Sequence, residues 1–552
     1  MRILVAFDKF KGALTAPEAC DVAAAALQSV FVSPQLDLCP LADGGDGFAS
    51  VLTRSMEGEW IACDVTGPSG QRQPAAFGIV AYERIPFAAR NLLNLPAGRS
   101  GKLALIEMAA ASGLASLPPA ERDPWTATSA GTGELIRLAA ERSVDGIVLG
   151  IGGSATNDVG LGALAALGAR FLDAEGALVL PPTPNRFSEI VRFERTELKL
   201  PPIRIACDVT HPLLGAQGAT RVFGPQKGLR PEDADRLEQS VAHAASLLCS
   251  EMHITPEATT WPGTGAAGGL GFGLKIALGA ALIPGADLIA AWLRLDQRVE
   301  DAELILTGEG RFDSTSFAGK APGAIVARAL RSAKPLYVFA GQIGPGVTSS
   351  TALRLRAVTP PGMSLSDGIA RTRDLLRIGI EENLRADVQK WRQVERRFRY
   401  ARWILGLYQM AAAVAAFLLL SQQLGSNLSM FGLVIIFAGL SFATGVGLIA
   451  APKTGWRLTA LTQAMQAFGF FSPFLTYVFV MGAGLTATLY PAGTLSAPRI
   501  GFAFNLGLNV NLGLAFFKSL PQYPTYGVTI NGVAAALAAV ALLAHRHDRR
   551  PI

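Results

Sequence analysis

The 552-residue sequence predicts an α/β protein with parallel sheets, followed by a C-terminal α-helical transmembrane region. Three observations predict this. Up to about residue 382, short apolar runs alternate with helical patterns, the order of elements that builds parallel sheets. Those runs end in acids and glycines, and parallel sheets bind ligands beyond the carboxyl ends of their strands. From Trp403 to Ala544 there is no Asp or Glu, a composition that belongs in lipid rather than in a globular core.

The elements follow in chain order. Residues 3–7 form a buried strand ending at Asp8, and Thr15-Ala-Pro-Glu18 is a capping box that opens the helix running on through Val22 to Leu27. Further strand signals lie at 103–106 before Glu107, at 147–149 before a glycine turn, and at 203–206 before Cys207-Asp208. The last two are at 304–306 before Thr307-Gly308-Glu309-Gly310 and at 336–339 before Gly341. The first residues meet Asp8, Lys9 and Lys11 almost at once and lack a cleavage region, so no secretory signal is expected. The 5 cysteines form no CxxC pair and no Cys/His cluster, which argues against a disulfide framework and a zinc site. His211, His243 and His253 are scattered without ligand spacing.

The strand at 147–149 opens into Gly150-Ile-Gly152-Gly153-Ser154-Ala-Thr156-Asn157-Asp158, followed by small residues in a helical pattern. Glycines let a ligand approach backbone N–H groups, and a helix N-terminus favours an anion, so this loop suits phosphate. A tight structural turn is the alternative for the segment alone. Similar loops recur at Asp43-Gly-Gly-Asp46, Gly131-Thr-Gly133-Glu134, Gly224-Pro-Gln-Lys227-Gly228 and Gly308-Glu309-Gly310-Arg311-Phe-Asp313. Phosphoryl transfer needs such a set: amides, Lys or Arg against phosphate charge, carboxylates for Mg²⁺, and a base or orienting group for the acceptor. Neither a Walker GxxxxGK[ST] nor the protein-kinase motifs occur, so a nucleotide would bind by another scheme.

Taken in order, these blocks resemble the type-1 glycerate kinases, the glycerate 2-kinase group, over residues 1–382. The matching blocks begin with Asp8, Phe10-Lys11-Gly12, Ala42-Asp43-Gly-Gly45, Thr128, Gly131-Thr-Gly133-Glu134 and Gly152-Gly-Ser-Ala-Thr-Asn-Asp158. They continue with Ala206-Cys-Asp208, Phe223-Gly-Pro-Gln-Lys-Gly228, Gly265-Ala-Ala-Gly-Gly-Leu-Gly271, Thr307-Gly-Glu-Gly-Arg311 with Asp313, and Gly319-Lys320-Ala-Pro322. The resemblance implies a two-domain, glycerate-kinase-like fold whose two α/β parts are discontinuous. It also implies transfer of the ATP γ-phosphate to D-glycerate with Mg²⁺, giving the 2-phosphate. Two departures bear on substrate preference: Asp46 stands where the family usually has Glu, and Ser-Thr-Ser316 follows Asp313 where many members have Gln-Thr.

Within this set Asp43, Asp208 and Asp313 are the candidates for orienting the acceptor hydroxyl, with Asp43 and Asp313 also for metal; each also suits a helix cap or turn. Lys11, Lys227 and Lys320 would balance phosphate or carboxylate charge, and Arg311 offers a bidentate fork for the glycerate carboxylate. Gly150, Gly152, Gly153 and Ser154 form the expected phosphate cradle, with Asn157 and Asp158 at the helix entry, where a cap is the other reading.

Residues 383–402 read as an increasingly basic linker, and 403–552 as a membrane region with about four helices, at 403–420, 430–451, 467–489 and 526–544. Each is near the roughly 20 apolar residues a span requires. Basic residues precede the first span, lie between the second and third, and close the chain, so both ends are expected on the cytoplasmic side of a multi-pass inner-membrane protein. Arg499 and Lys518 count against that orientation. Residues 502–514 alternate large apolar with small or polar residues, the period of a strand or interfacial segment. Much of the surplus behind the net charge of +6 sits beside the apolar segments, so a lipid bilayer and not nucleic acid is the expected partner, the resemblance implies D-glycerate as the small-molecule partner, and a homo-oligomer is left open. A membrane sensor or scaffold that binds ligand without turnover, and a kinase for another small hydroxy acid, are the rival readings.

Overall fold

The computed structural model describes residues 1–94, 101–195, 197–317, 320–350, 352–421, 439, 440, 442–450, 457–461, 468–471, 476–492, 499–515 and 527–531. The chain forms two units, Met1–Leu384 and Arg385–Ile552.

The first unit carries two sheets. A five-stranded sheet has the order Leu353–Ala357, Leu336–Ala340, Leu304–Gly308, Arg2–Phe7, Gln35–Leu38, with every pairing parallel. A six-stranded sheet runs Ala281–Ile283, Ile203–Ala206, Gly146–Gly150, Lys102–Glu107, Arg72–Ala81, Glu59–Thr66. Its first four strands are parallel, and the last two add on antiparallel. The chain leaves the first sheet after Leu38, completes the second, and returns at Leu304, so the first subdomain is discontinuous.

Side-chain alternation explains how the sheets stack. In a strand, successive residues face opposite sides. Ile3, Val5 and Phe7 pack with helix Ala16–Val30, whereas Leu4 and Ala6 join a central core with Leu103, Leu105 and Val148 of the other sheet. Ala104, Ile106, Ile147 and Leu149 face a third core beneath the six-stranded sheet. Helices therefore cover both faces of each sheet, which is why the parallel strands are continuously apolar. Helix Ala16–Val30 starts at the expected box: the Glu18 N–H donates to Thr15, and the Glu18 carboxylate accepts from the Thr15 N–H.

The C-terminal unit departs from the expected helices. Among the described residues no helix is long and apolar enough to cross a membrane. The expected third span is the strands Phe468–Phe471 and Thr476–Ala492; the latter pairs residue for residue with the antiparallel strand Arg499–Ala515, which contains the alternating stretch 502–514. Thr, Tyr, Val and Phe crowd a helix backbone and suit a pleated one, and Gly482 and Gly484 weaken a helix further. Residues 403–420 instead end the helix Thr372–Ser421, which also contains the linker 383–402. Of the fourth expected span, Gly527–Asn531 is a strand and 532–544 lie outside the described residues. Of the second, 439, 440 and 442–450 are helical, and the remainder lies outside them.

Candidate active site

Loops at the carboxyl ends of four parallel strands, two from each sheet, wall a cleft of about 300 Å³. Lys11 follows strand Arg2–Phe7, Asp43 and Asp46 follow Gln35–Leu38, Gly152–Ser154 follow Gly146–Gly150, and Asp208 follows Ile203–Ala206. Six of the residues singled out by sequence meet here: Lys11, Asp43, Gly152, Gly153, Ser154 and Asp208.

The glycines of this loop do two different things. A Cβ on Gly150 would lie 2.7 Å from the Gly44 carbonyl oxygen, and one on Gly152 would lie 2.8 Å from Gly45 Cα. Their Cα surfaces are taken up by the neighbouring loop, and the Gly152 N–H donates to the Gly44 carbonyl at 3.0 Å. These two positions let the acid-bearing loop rest directly on the cradle loop. Gly153 differs: it has φ +75°, with no atom closer than 3.5 Å to the Cβ it lacks. Among the described residues, the Gly153 and Ser154 N–H groups have no acceptor, and both residues line the cleft. Backbone donors left open at a helix-entry loop are the usual grip for phosphate oxygens.

Opposite the cradle stand the acids. Asp43 Oδ1 accepts from Lys9 Nζ and from the Gly45 N–H, each at 3.2 Å, while Oδ2 has no partner among the described residues. Asp208 accepts from the Ala286 N–H at 2.9 Å. Although Asp208 is exposed as a whole, desolvation of its carboxylate raises its pKa despite the amide bonds, and the charges on Asp287 and, less, Asp43 add to the rise. Among the described residues no group of three or more His, Cys, Asp or Glu gathers to hold a metal unaided. Mg²⁺ commonly binds through one or two carboxylates plus substrate phosphates, and the open Asp43 Oδ2 fits that demand.

The remaining predicted residues lie outside the cleft lining. Asp158 is fully buried and accepts from the Ser129 N–H and hydroxyl, both at 2.7 Å, and from the Gly160 and Gly162 N–H groups, each at 3.2 Å. It ties together the starts of helices Ala130–Ala140 and Leu161–Ala166; burial pushes its pKa up and these bonds pull it back. Asn157 is buried and donates to Thr220 Oγ1 at 3.1 Å. Lys227 is 1% exposed, and its Nζ donates to the Thr156 carbonyl at 2.6 Å. Burial drives its pKa down to about 7, against the attraction of Asp158. Both Asp313 oxygens are engaged on their own loop: Oδ2 accepts from Arg311 Nε at 3.0 Å, and Oδ1 from the Thr315 N–H at 2.9 Å. These bonds, chiefly those from Thr315, lower its pKa. Lys320 pairs with Glu309 at 3.3 Å. The loop that carries Glu309 and Arg311 abuts Lys11, because a Cβ on Gly310 would lie 3.5 Å from the Lys11 N atom.

Sequence reasoning left three participants without a role. Lys9 bridges Asp43 at 3.2 Å and Asp8 at 3.7 Å. Burial works against its charge, yet Asp8, Asp43 and Asp46 together hold its pKa above the ordinary lysine value. Asp8 is buried, and desolvation, aided by Asp43 and Glu309 and opposed by Lys9, pushes its pKa up to about 7. Glu107 accepts from the Ala49 N–H at 2.9 Å and so anchors helix Phe48–Ser55 behind Asp46; burial first, then the Asp46 charge, raises its pKa to about 6. The available signal was position: Asp8 and Glu107 both end parallel strands.

Comparison with known proteins agrees with this geometry. The sequence profile of the glycerate kinase family matches residues 3–386. Glycerate 2-kinase of Escherichia coli (strain K12) is 38% identical over 346 residues, which are 62% of this chain and 86% of that protein. Glycerate kinase of Bacillus subtilis (strain 168) is 38% identical over 347 residues, 62% of this chain and 85% of its own. A crystal structure described as glycerate kinase 2 from Salmonella typhimurium LT2 is similar with a TM-score of 0.57 and 35% identity, covering 71% of this chain and 99% of that one.

Proposed function

The chain belongs to the glycerate kinase family and is a kinase, and from that premise we propose that it transfers the ATP γ-phosphate to D-glycerate, giving 2-phosphoglycerate. The observation that carries this reading is the meeting of open Gly153 and Ser154 N–H groups with Lys11, Asp43 and Asp208 in one cleft. In it, the two amides and Lys11 hold phosphate oxygens, and Asp208, with its raised pKa, orients the acceptor hydroxyl and takes its proton. Asp43 would hold Mg²⁺ through Oδ2, and the ion would supply charge neutralisation at the phosphates. Arg311, fixed by Asp313 beside the Lys11 loop, turns its remaining guanidinium N–H groups to the glycerate carboxylate. Lys9 holds Asp43 in place from behind.

Attachment to the cytoplasmic face of a lipid bilayer through the C-terminal unit belongs to the same proposal. Its supports are the absence of acids over 403–544 and the bases at Lys390, Arg392, Arg396, Arg397, Arg399, Arg402, Arg546, Arg549 and Arg550.

The test is an ADP-release assay on the full chain with ATP, Mg²⁺ and D-glycerate, together with flotation on anionic vesicles. Glycerate-dependent release and co-flotation support the two parts. Release that ignores glycerate, or that is larger with another hydroxy acid, removes the substrate assignment, and protein left at the bottom of the gradient removes the membrane assignment.

A further inference from the structure

Beneath the cradle loop, the segment 219–227 makes two side-chain contacts whose purpose the cleft itself does not reveal. Lys227 closes the short turn Pro225–Lys227 and sends its Nζ to the Thr156 carbonyl at 2.6 Å. Thr220, in helix Ala219–Phe223, accepts at 3.1 Å from Asn157 Nδ2. All four residues are buried. The Thr156 carbonyl and Asn157 lie two to three positions beyond Ser154, in the loop that presents the open amides. The same segment contributes Phe223 and Gln226 to the cleft wall.

We infer that Lys227 and Thr220 are positioning residues: together they clamp the loop at Thr156 and Asn157, so that the Gly153 and Ser154 amides are already set for phosphate before nucleotide arrives. This rests on the reading of the cleft as the kinase site. A lysine is expensive to bury, and it is used here on a single main-chain oxygen rather than on a carboxylate partner. A main-chain carbonyl fixed in this way fixes its own peptide plane, that between Thr156 and Asn157. The upstream end of the loop is held separately, by the Gly152 N–H on the Gly44 carbonyl. The downstream end is held by Asp158 on Ser129. Between those ends the Gly153 carbonyl accepts from the Leu114 N–H at 2.8 Å and the Ala155 N–H donates to the Ser112 carbonyl at 2.9 Å, so the clamp acts on the two residues just beyond that contact, Thr156 and Asn157. Preset donors raise affinity because binding no longer has to order them.

The prediction separates nucleotide from acceptor. In the full chain, Lys227→Met should raise KM for ATP about tenfold or more while KM for D-glycerate stays within about twofold. Thr220→Val, of nearly equal volume, should raise KM for ATP by about threefold while KM for D-glycerate is unchanged, with Tm lowered by only a few degrees for the lost buried hydrogen bond. A folded K227M that keeps the wild-type KM for ATP overturns the inference, as does a parallel rise in both KM values, which marks a general structural loss. If K227M does not fold, T220V decides alone: a selective rise in KM for ATP supports the clamp, and an unchanged value overturns it. Wild-type protein without glycerate-dependent turnover would overturn the kinase reading and this inference together, whereas an active wild type with indifferent variants removes the clamp only.

Discussion

At the scale of single residues, the charges divide into those that face the cleft and those that hold it up. Asp43→Asn removes the carboxylate charge proposed to hold Mg²⁺, so kcat should fall at least about 100-fold while the fold persists, which steady-state kinetics beside a thermal melt would show. Lys227 gives a pH signature. Its folded pKa, near 7, lies below the ordinary 10.5, so between these values the unfolded chain binds the extra proton and stability should rise with pH. Urea midpoints measured from pH 7 to 10 should climb in the wild type and flatten in K227M; equal slopes would refute the assignment. Glu107 has the opposite sign. Its pKa is raised from 4.5 to about 6, so the folded state binds more protons across that window, and its contribution to stability declines as pH rises through it. Sequence brought Asp43, Asp208 and Lys11 forward because each stands beside glycine or at a strand end, a place that equally suits a cap or turn, and the fold gathers them at one cleft. Lys227 and Asp158 have the same sequence surroundings but turn inward. Burial is decided by packing from distant segments such as 129 and 156, which local composition does not report.

At the scale of elements, the central device is one loop seated on another. Gly150 and Gly152 admit the Gly44–Gly45 backbone at distances that leave no room for a methyl group. Gly152→Ala should therefore push the Asp43 loop away and destabilise the protein by about 1–3 kcal/mol, seen as a lower Tm together with lost turnover. Gly153→Ala should differ in kind: space is free but φ is +75°, so the cost is backbone strain at the cradle itself, of order 1 kcal/mol, read as weaker ATP binding. Six strands of the first unit, those at 3–7, 103–106, 147–149, 203–206, 304–306 and 336–339, were visible as short apolar runs leading into acids or glycines, whereas the edge strands Gln35–Leu38, Ala281–Ile283 and Leu353–Ala357 are too short or too polar to stand out. The β extension Glu59–Thr66 and Arg72–Ala81 was not visible either, since its polar residues alternate too irregularly to stand out. The expected helix at 467–489 failed for a related reason: hydrophobicity averaged over a window ignores the β-branched and aromatic content that favours pairing with Arg499–Ala515.

At the scale of the whole molecule, Met1–Leu384 has its own sheets and cores and coincides closely with the family match over residues 3–386. Residues 1–384 alone should fold cooperatively, keep glycerate-dependent turnover within about threefold of the full chain, and lose vesicle flotation; aggregation or loss of activity would show that the C-terminal unit is part of the enzyme. The discontinuity of the first subdomain was implied by resemblance rather than by periodicity, because only pairing reveals that Leu304–Gly308 lies against Arg2–Phe7. That pairing brings the Glu309–Arg311 loop beside Lys11, at the edge of the cleft. The most direct measurement is phosphorus NMR of the full chain incubated with ATP, Mg²⁺ and D-glycerate, run beside Asp43→Asn. The cleft chemistry predicts a new phosphomonoester resonance at the 2-position that requires glycerate and vanishes in D43N. ATP left intact, or the same product formed by D43N at the wild-type rate, would contradict it.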